Sequence, residues 1–72
     1  MVPVQVWLYD KAGHSLPNWE CGTVTLSRLP SVGEILDFAD HYPDLTATYR
    51  VVAVAHFPVQ SGFAGEVDAE EV

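Results

Sequence analysis

The sequence predicts a mainly β protein: a small antiparallel sheet, or a partly open barrel, of about four or five strands. Three observations carry that expectation. Valine, threonine, tyrosine and phenylalanine gather in short runs that alternate with period two. Glycine, proline and Asn or Asp separate those runs. A third, negative observation is that helical spacing competes with strand spacing mainly in one segment, near residues 31–42.

In the opening run, Val2, Val4, Val6 and Leu8 alternate with Pro3, Gln5, Trp7 and Tyr9. Pro3 has no amide hydrogen, so it suits only a strand's start or an edge. If Val4, Val6 and Leu8 fill the core, Trp7 and Tyr9 reach the surface. Asp10 to Gly13 is turn chemistry, and His14 to Glu20 reads as a loop punctuated by Pro17 and Asn18. Cys21 to Leu29 alternates again: Val24 and Leu26 point one way, Thr23, Thr25 and Ser27 the other, and Pro30 ends the run.

The segment "LPSVGEILDFADHYPDL" supports two readings. As a helix, Ser31 and Glu34 form a capping box, with Val32, Ile35, Leu36 and Ala39 at helical spacing and Pro43 as the stop. As a turn and strand, Gly33 bends the chain, and Leu36 and Phe38 face inward opposite Ile35 and Asp37. Gly33 early in a helix costs about 1 kcal/mol, which tilts the balance toward a short strand followed by a loop or helical turn.

"TATYRVVAVAHFPV" has no helix breaker before Pro58 and reads as the longest strand. Strict alternation places Tyr49, Val51, Ala53, Ala55 and Phe57 on the core face. The other face then holds Arg50, Val52, Val54 and His56, an apolar centre with polar ends. Gln60 to Gly65 is a turn with two glycines. The chain closes on Val67 and Ala69 alternating with Glu66, Asp68 and Glu70, a terminal strand with an acidic outer face.

The arrangement "LPSVGEILDF", "YRVVAVAH", "EVDAEEV" resembles small SH3-like barrels of bacterial and phage proteins, over about the second half of the chain. The resemblance implies a fold and no activity.

Seventy-two residues are enough for one domain, 1–72, and a chain of this size buries only about 60% of its surface on folding. One cysteine, Cys21, rules out an internal disulfide. Yet 49% of the residues are hydrophobic, so a homo-oligomer, or a place in a larger complex, is expected to supply the missing burial. Three basic residues against ten acidic ones give a net charge of −7. That disfavours direct nucleic-acid binding, which needs Lys and Arg to neutralise phosphate, and disfavours an anionic membrane. It favours a basic protein partner. No apolar run is long enough to span a membrane, and the N-terminus has no basic region typical of a signal peptide. A cytoplasmic protein with a reduced thiol is the expectation.

Catalytic and metal chemistry find little support. His14, Cys21, His41 and His56 lack the short spacings of zinc ligands. Cys21 with His56, or Ser15 with His14, could pair only by long-range geometry, and no glycine-rich elbow or phosphate loop is present. No catalytic residue, metal ligand or cofactor is therefore assigned.

Two surfaces are candidates for binding instead. One is a protein interface built from Trp7, Tyr9, Arg50, Val52, Val54 and His56, since exposed aromatic and Arg side chains are common interface anchors. The other is the acidic face of Glu66, Asp68 and Glu70, spaced at roughly 6.8 Å, twice the strand rise. Edge charges that prevent strand-to-strand aggregation are the plainer explanation of such a row. The functional one notes that DNA phosphates along one strand rise about 3.4 Å each, so the row matches alternate phosphates. Glu34, Asp37, Asp40 and Asp44 could extend that anionic surface. Three functions follow in order of support: an acidic, non-enzymatic protein–protein interaction module, acting as a homodimer or stable subunit; a phage-type acidic inhibitor that occupies a nucleic-acid-binding site; and a small ligand-binding or enzymatic protein with its site at a subunit interface, using His56, Arg50 or Cys21.

Overall fold

The computed structural model describes residues 1–15, 22–38, 45 and 47–72. Among the described residues five strands run in chain order: β1 (Val2–Tyr9), β2 (Gly22–Leu26), β3 (Ile35–Asp37), β4 (Thr48–His56) and β5 (Gly65–Glu71), with a 3-10 turn at Val59–Ser61. They form one sheet in the order β2-β1-β5-β4-β3, curled into a half-barrel. The mainly β, partly open barrel is therefore the fold. The sheet is mixed rather than wholly antiparallel, because β1 and β5 pair in parallel with Val4 opposite Gly65 and Val6 opposite Val67. No helix among the described residues is long and apolar enough to cross a membrane.

Period-two patterning builds the concave side. Val4, Val6 and Leu8 of β1 are fully buried, while Pro3, Gln5, Trp7 and Tyr9 are half-buried on the other side. Val24 of β2, Leu36 of β3, Tyr49 and Val51 of β4, and Val67 and Ala69 of β5 join the same core, closed by Phe38 and Leu45. Pro3 sits at the strand start, and its carbonyl accepts the Ala64 N–H at 2.9 Å.

The segment from residue 31 resolves as a turn and strand. Ser31 and Glu34 pair across a single turn through one half of a capping box and one β-turn bond. The Glu34 N–H donates to Ser31 O at 3.1 Å, and the Ser31 N–H donates to Glu34 Oε1 at 2.6 Å. Gly33 has φ +95, the left-handed conformation that the third position of a type II turn requires. Leu36 and Phe38 then turn inward, and Ile35 and Asp37 outward. The alternative short helix does not form over residues 31–38; residues 39–42 lie outside the described residues.

In β4 strict alternation fails midway. Val51 pairs with Ala69, but Ala53 pairs with the next residue, Asp68, so Val52 is an extra residue in a β-bulge. One inserted residue reverses the facing of everything beyond it. Val54 now lies opposite the fully buried Val67 and packs against the core. Ala53 and Ala55 turn outward and are exposed. The expectation that Val54 and His56 share a face with Arg50, and that Ala53 and Ala55 share one with Val51, is thus corrected. Across β4, Gly65 opens β5 at a point where only glycine fits: a Cβ there would lie 2.2 Å from the Ala55 carbonyl oxygen.

Candidate interaction surface

The last strand in the sequence is the middle strand of the sheet, between β1 and β4. This changes the meaning of its acidic row. A charged row that protects an edge must lie on an edge strand, and β5 has a hydrogen-bonded neighbour on each side.

The registers place the outer-face side chains in rows. Glu66 stands between Gln5 of β1 and Ala55 of β4. Asp68 stands between Trp7 and Ala53, and Glu70 between Tyr9 and Arg50. Gln5 continues to Thr23 of β2, and Arg50 to Ile35 of β3. The aromatic and acidic candidates, read separately from the sequence, therefore occupy one face. Trp7, Tyr9, Arg50 and Val52 lie on it together with Glu66, Asp68 and Glu70. Val54 does not, and His56 follows Val54 in register, opposite Gly65 at the exposed end of β4.

The Ala53 and Ala55 methyl groups leave a shallow hollow of about 90 Å³ lined by Ala53, Val54, Ala55, Glu66 and Asp68. Sequence reasoning missed both alanines as site residues. In an apolar run such as "RVVAVAH" a bulge leaves no break in the polar pattern to mark it.

The charge on this face is uneven. Glu70 has Arg50 as its cross-strand neighbour, and it shares a cavity of about 250 Å³ with Asp10, Lys11 and Glu71 at the barrel end. Glu66 and Asp68 have only neutral neighbours across the sheet. Their side chains, half-buried, make no hydrogen bond or ion pair with a described residue. Glu34, counted above toward a wider anionic surface, is occupied instead. Arg28 grips it with two hydrogen bonds, Nη1 to Oε1 at 2.7 Å and Nη2 to Oε2 at 2.5 Å. The Arg28 hydrogen bonds, then the Ser31 N–H, hold the Glu34 carboxyl down at about 2. Asp37 is on the outward side of β3, and Asp40 and Asp44 lie outside the described residues.

Between the two edge strands the half-barrel leaves a cleft of about 600 Å³, lined mainly by Met1, Val24, Leu26, Ile35, Leu36 and Phe38. Among the described residues no three of His, Cys, Asp and Glu come together as metal ligands. His14 and Ser15 are exposed next to the Asp10 turn, where Asp10 Oδ1 accepts the N–H groups of Ala12 and His14, each at 2.9 Å. Cys21 and His41 lie outside the described residues. Comparison with known protein families, curated proteins and solved structures finds no match to this chain.

Proposed function

We propose that this chain is a small acidic protein–protein interaction module without catalytic activity, and that it docks a basic partner protein on the outer face of its sheet. The observation that carries this reading is the central position of β5. A row of carboxylates in the middle of a sheet face, beside a tryptophan and a tyrosine, has no role in protecting an edge. Its cost is mutual repulsion, which a cationic partner relieves. Aromatic side chains add the apolar area and cation–π attraction that make such contacts specific. The absence of a disulfide-forming pair suits a reducing, cytoplasmic setting.

Self-association, the second reading, belongs elsewhere on the molecule. Two copies meeting through the outer face would set Glu66, Asp68 and Glu70 of each against like charges. The cleft between β2 and β3 is the better candidate, because it is mainly apolar, with Thr25, Ser27 and Asp37 also on its wall, and is framed by both sheet edges.

One experiment addresses both readings: affinity capture from native lysate with the intact chain, beside the molar mass of the isolated protein over a range of concentrations. The docking reading expects a basic protein whose capture weakens with salt and is lost in a Glu66→Gln/Asp68→Asn/Glu70→Gln variant that remains folded. Capture that survives this substitution contradicts it. A nucleic-acid-binding protein displaced by duplex DNA points instead to an acidic inhibitor. A dimer that persists in the substituted variant supports the cleft as the self-association surface.

A further inference from the structure

We propose that the outer face receives an extended basic segment of the partner, laid along β5, with an arginine seated at the Glu66–Asp68 end beside Trp7. The inference rests on the reading of this face as the docking surface and specifies what it recognises.

Charge complementarity locates the seat. At the Glu70 end two cations stand near the row, Arg50 across the strand and Lys11 in the adjoining turn, where Asp10 and Glu71 also line the cavity. At the other end Glu66 and Asp68 face Gln5, Trp7, Ala53 and Ala55, and no described cation pairs with them. Within the row, Glu66 and Asp68 are thus the carboxylates without a cationic register neighbour. An incoming cation gains most there.

Shape selects an arginine. The floor is two alanine methyls, the result of the bulge at Val52, so side chains of β4 do not block approach from that side. The hollow of about 90 Å³ is shallow and open, so an aliphatic stem can rest on its alanine floor. Trp7 stands on the other side of Asp68. A long cationic side chain lays its stem along apolar surface and keeps its charged head with polar partners. A guanidinium does this best here: it can bridge carboxylates through its planar fork and stack on an indole.

Register selects an extended segment. Glu66, Asp68 and Glu70 project from one side of β5 at roughly 6.8 Å, and side chains at alternate positions of any extended chain repeat at the same interval. A segment with basic residues at alternate positions can match the row step for step, whereas contiguous basic residues point alternately toward the face and away from it.

The test is calorimetric and NMR titration of the intact chain with short peptides of identical composition. One carries arginines at alternate positions, another carries the same arginines contiguously, and in a third citrulline replaces arginine. The expected result is that the alternating peptide binds about tenfold more tightly than the contiguous one, that the citrulline peptide does not bind, and that the Trp7 indole N–H and the Glu66 and Asp68 amides shift. Lysine in place of arginine weakens binding but leaves the same signals moving. A folded Glu66→Gln/Asp68→Asn variant loses the preference for alternation. Equal affinity for both arrangements, with shifts still confined to this face, overturns the inference and leaves the docking face standing. Shifts elsewhere, or no binding by any basic peptide, overturn both.

Discussion

Glu34 shows how much of this molecule's electrostatics is settled by immediate neighbours. The Arg28 fork and the Ser31 N–H both favour its ionised form, so its carboxyl is held well below the usual carboxylate range. A carboxylate whose folded pKa is depressed stabilises the fold above its unfolded value. That contribution fades as pH falls from about 4.5 toward about 2. The pair is solvent-exposed, so its effect on stability is small, and the sensitive measurement is direct titration of the carboxyl carbon. In the wild type Glu34 is expected to titrate near 2; in Arg28→Gln its midpoint should rise toward that of an ordinary glutamate. A midpoint unmoved by that substitution contradicts the assignment. Glu66 and Asp68 are the contrast: half-buried carboxylates on the outer face that no described residue pairs with.

At the scale of elements, β4 decides which residues the surface contains. The bulge sends Val52 outward, 42% exposed, and returns Val54 to the core side opposite Val67. Aspartate at these neighbouring positions should therefore behave differently. Val52→Asp is expected to change stability by no more than about 0.5 kcal/mol, and Val54→Asp to destabilise by about 2 kcal/mol or more, because it places a charge against the core. Chemical denaturation of both variants checks this; equal loss in the two would mean that the strand runs without a bulge. The same element marks the boundary of what was legible beforehand. In β2 threonines interleave with Val24 and Leu26, and in β1 Pro3, Gln5 and two aromatics interleave with aliphatic residues, so the buried face is visible in the sequence. In "RVVAVAH" both faces are apolar, and the inserted residue leaves no trace. β5 was legible as an alternating strand, but its place was not. Pairing partners far apart in the chain, such as Val4 and Gly65, are chosen by the closure of the whole sheet. The aromatic and acidic candidates were likewise found as separate features, and the parallel β1–β5 pairing is what unites them.

At the scale of the whole molecule, a net charge of −7 on 72 residues gives a long-range field that attracts basic partners and discourages close approach of identical copies. The half-barrel divides its surface accordingly. Its apolar concave side is filled by the core, its cleft lies between the edge strands, and its convex side carries the carboxylate row and the half-buried aromatics. In the proposed docking mode Trp7 on β1 and Asp68 on β5, register partners across the parallel pair, act on one bound cation. A double-mutant cycle with Trp7→Ala and Asp68→Asn, read as the affinity of the alternating arginine peptide, tests it most directly. A coupling energy of about 1 kcal/mol between the two positions is expected. Strictly additive losses in folded variants would contradict it.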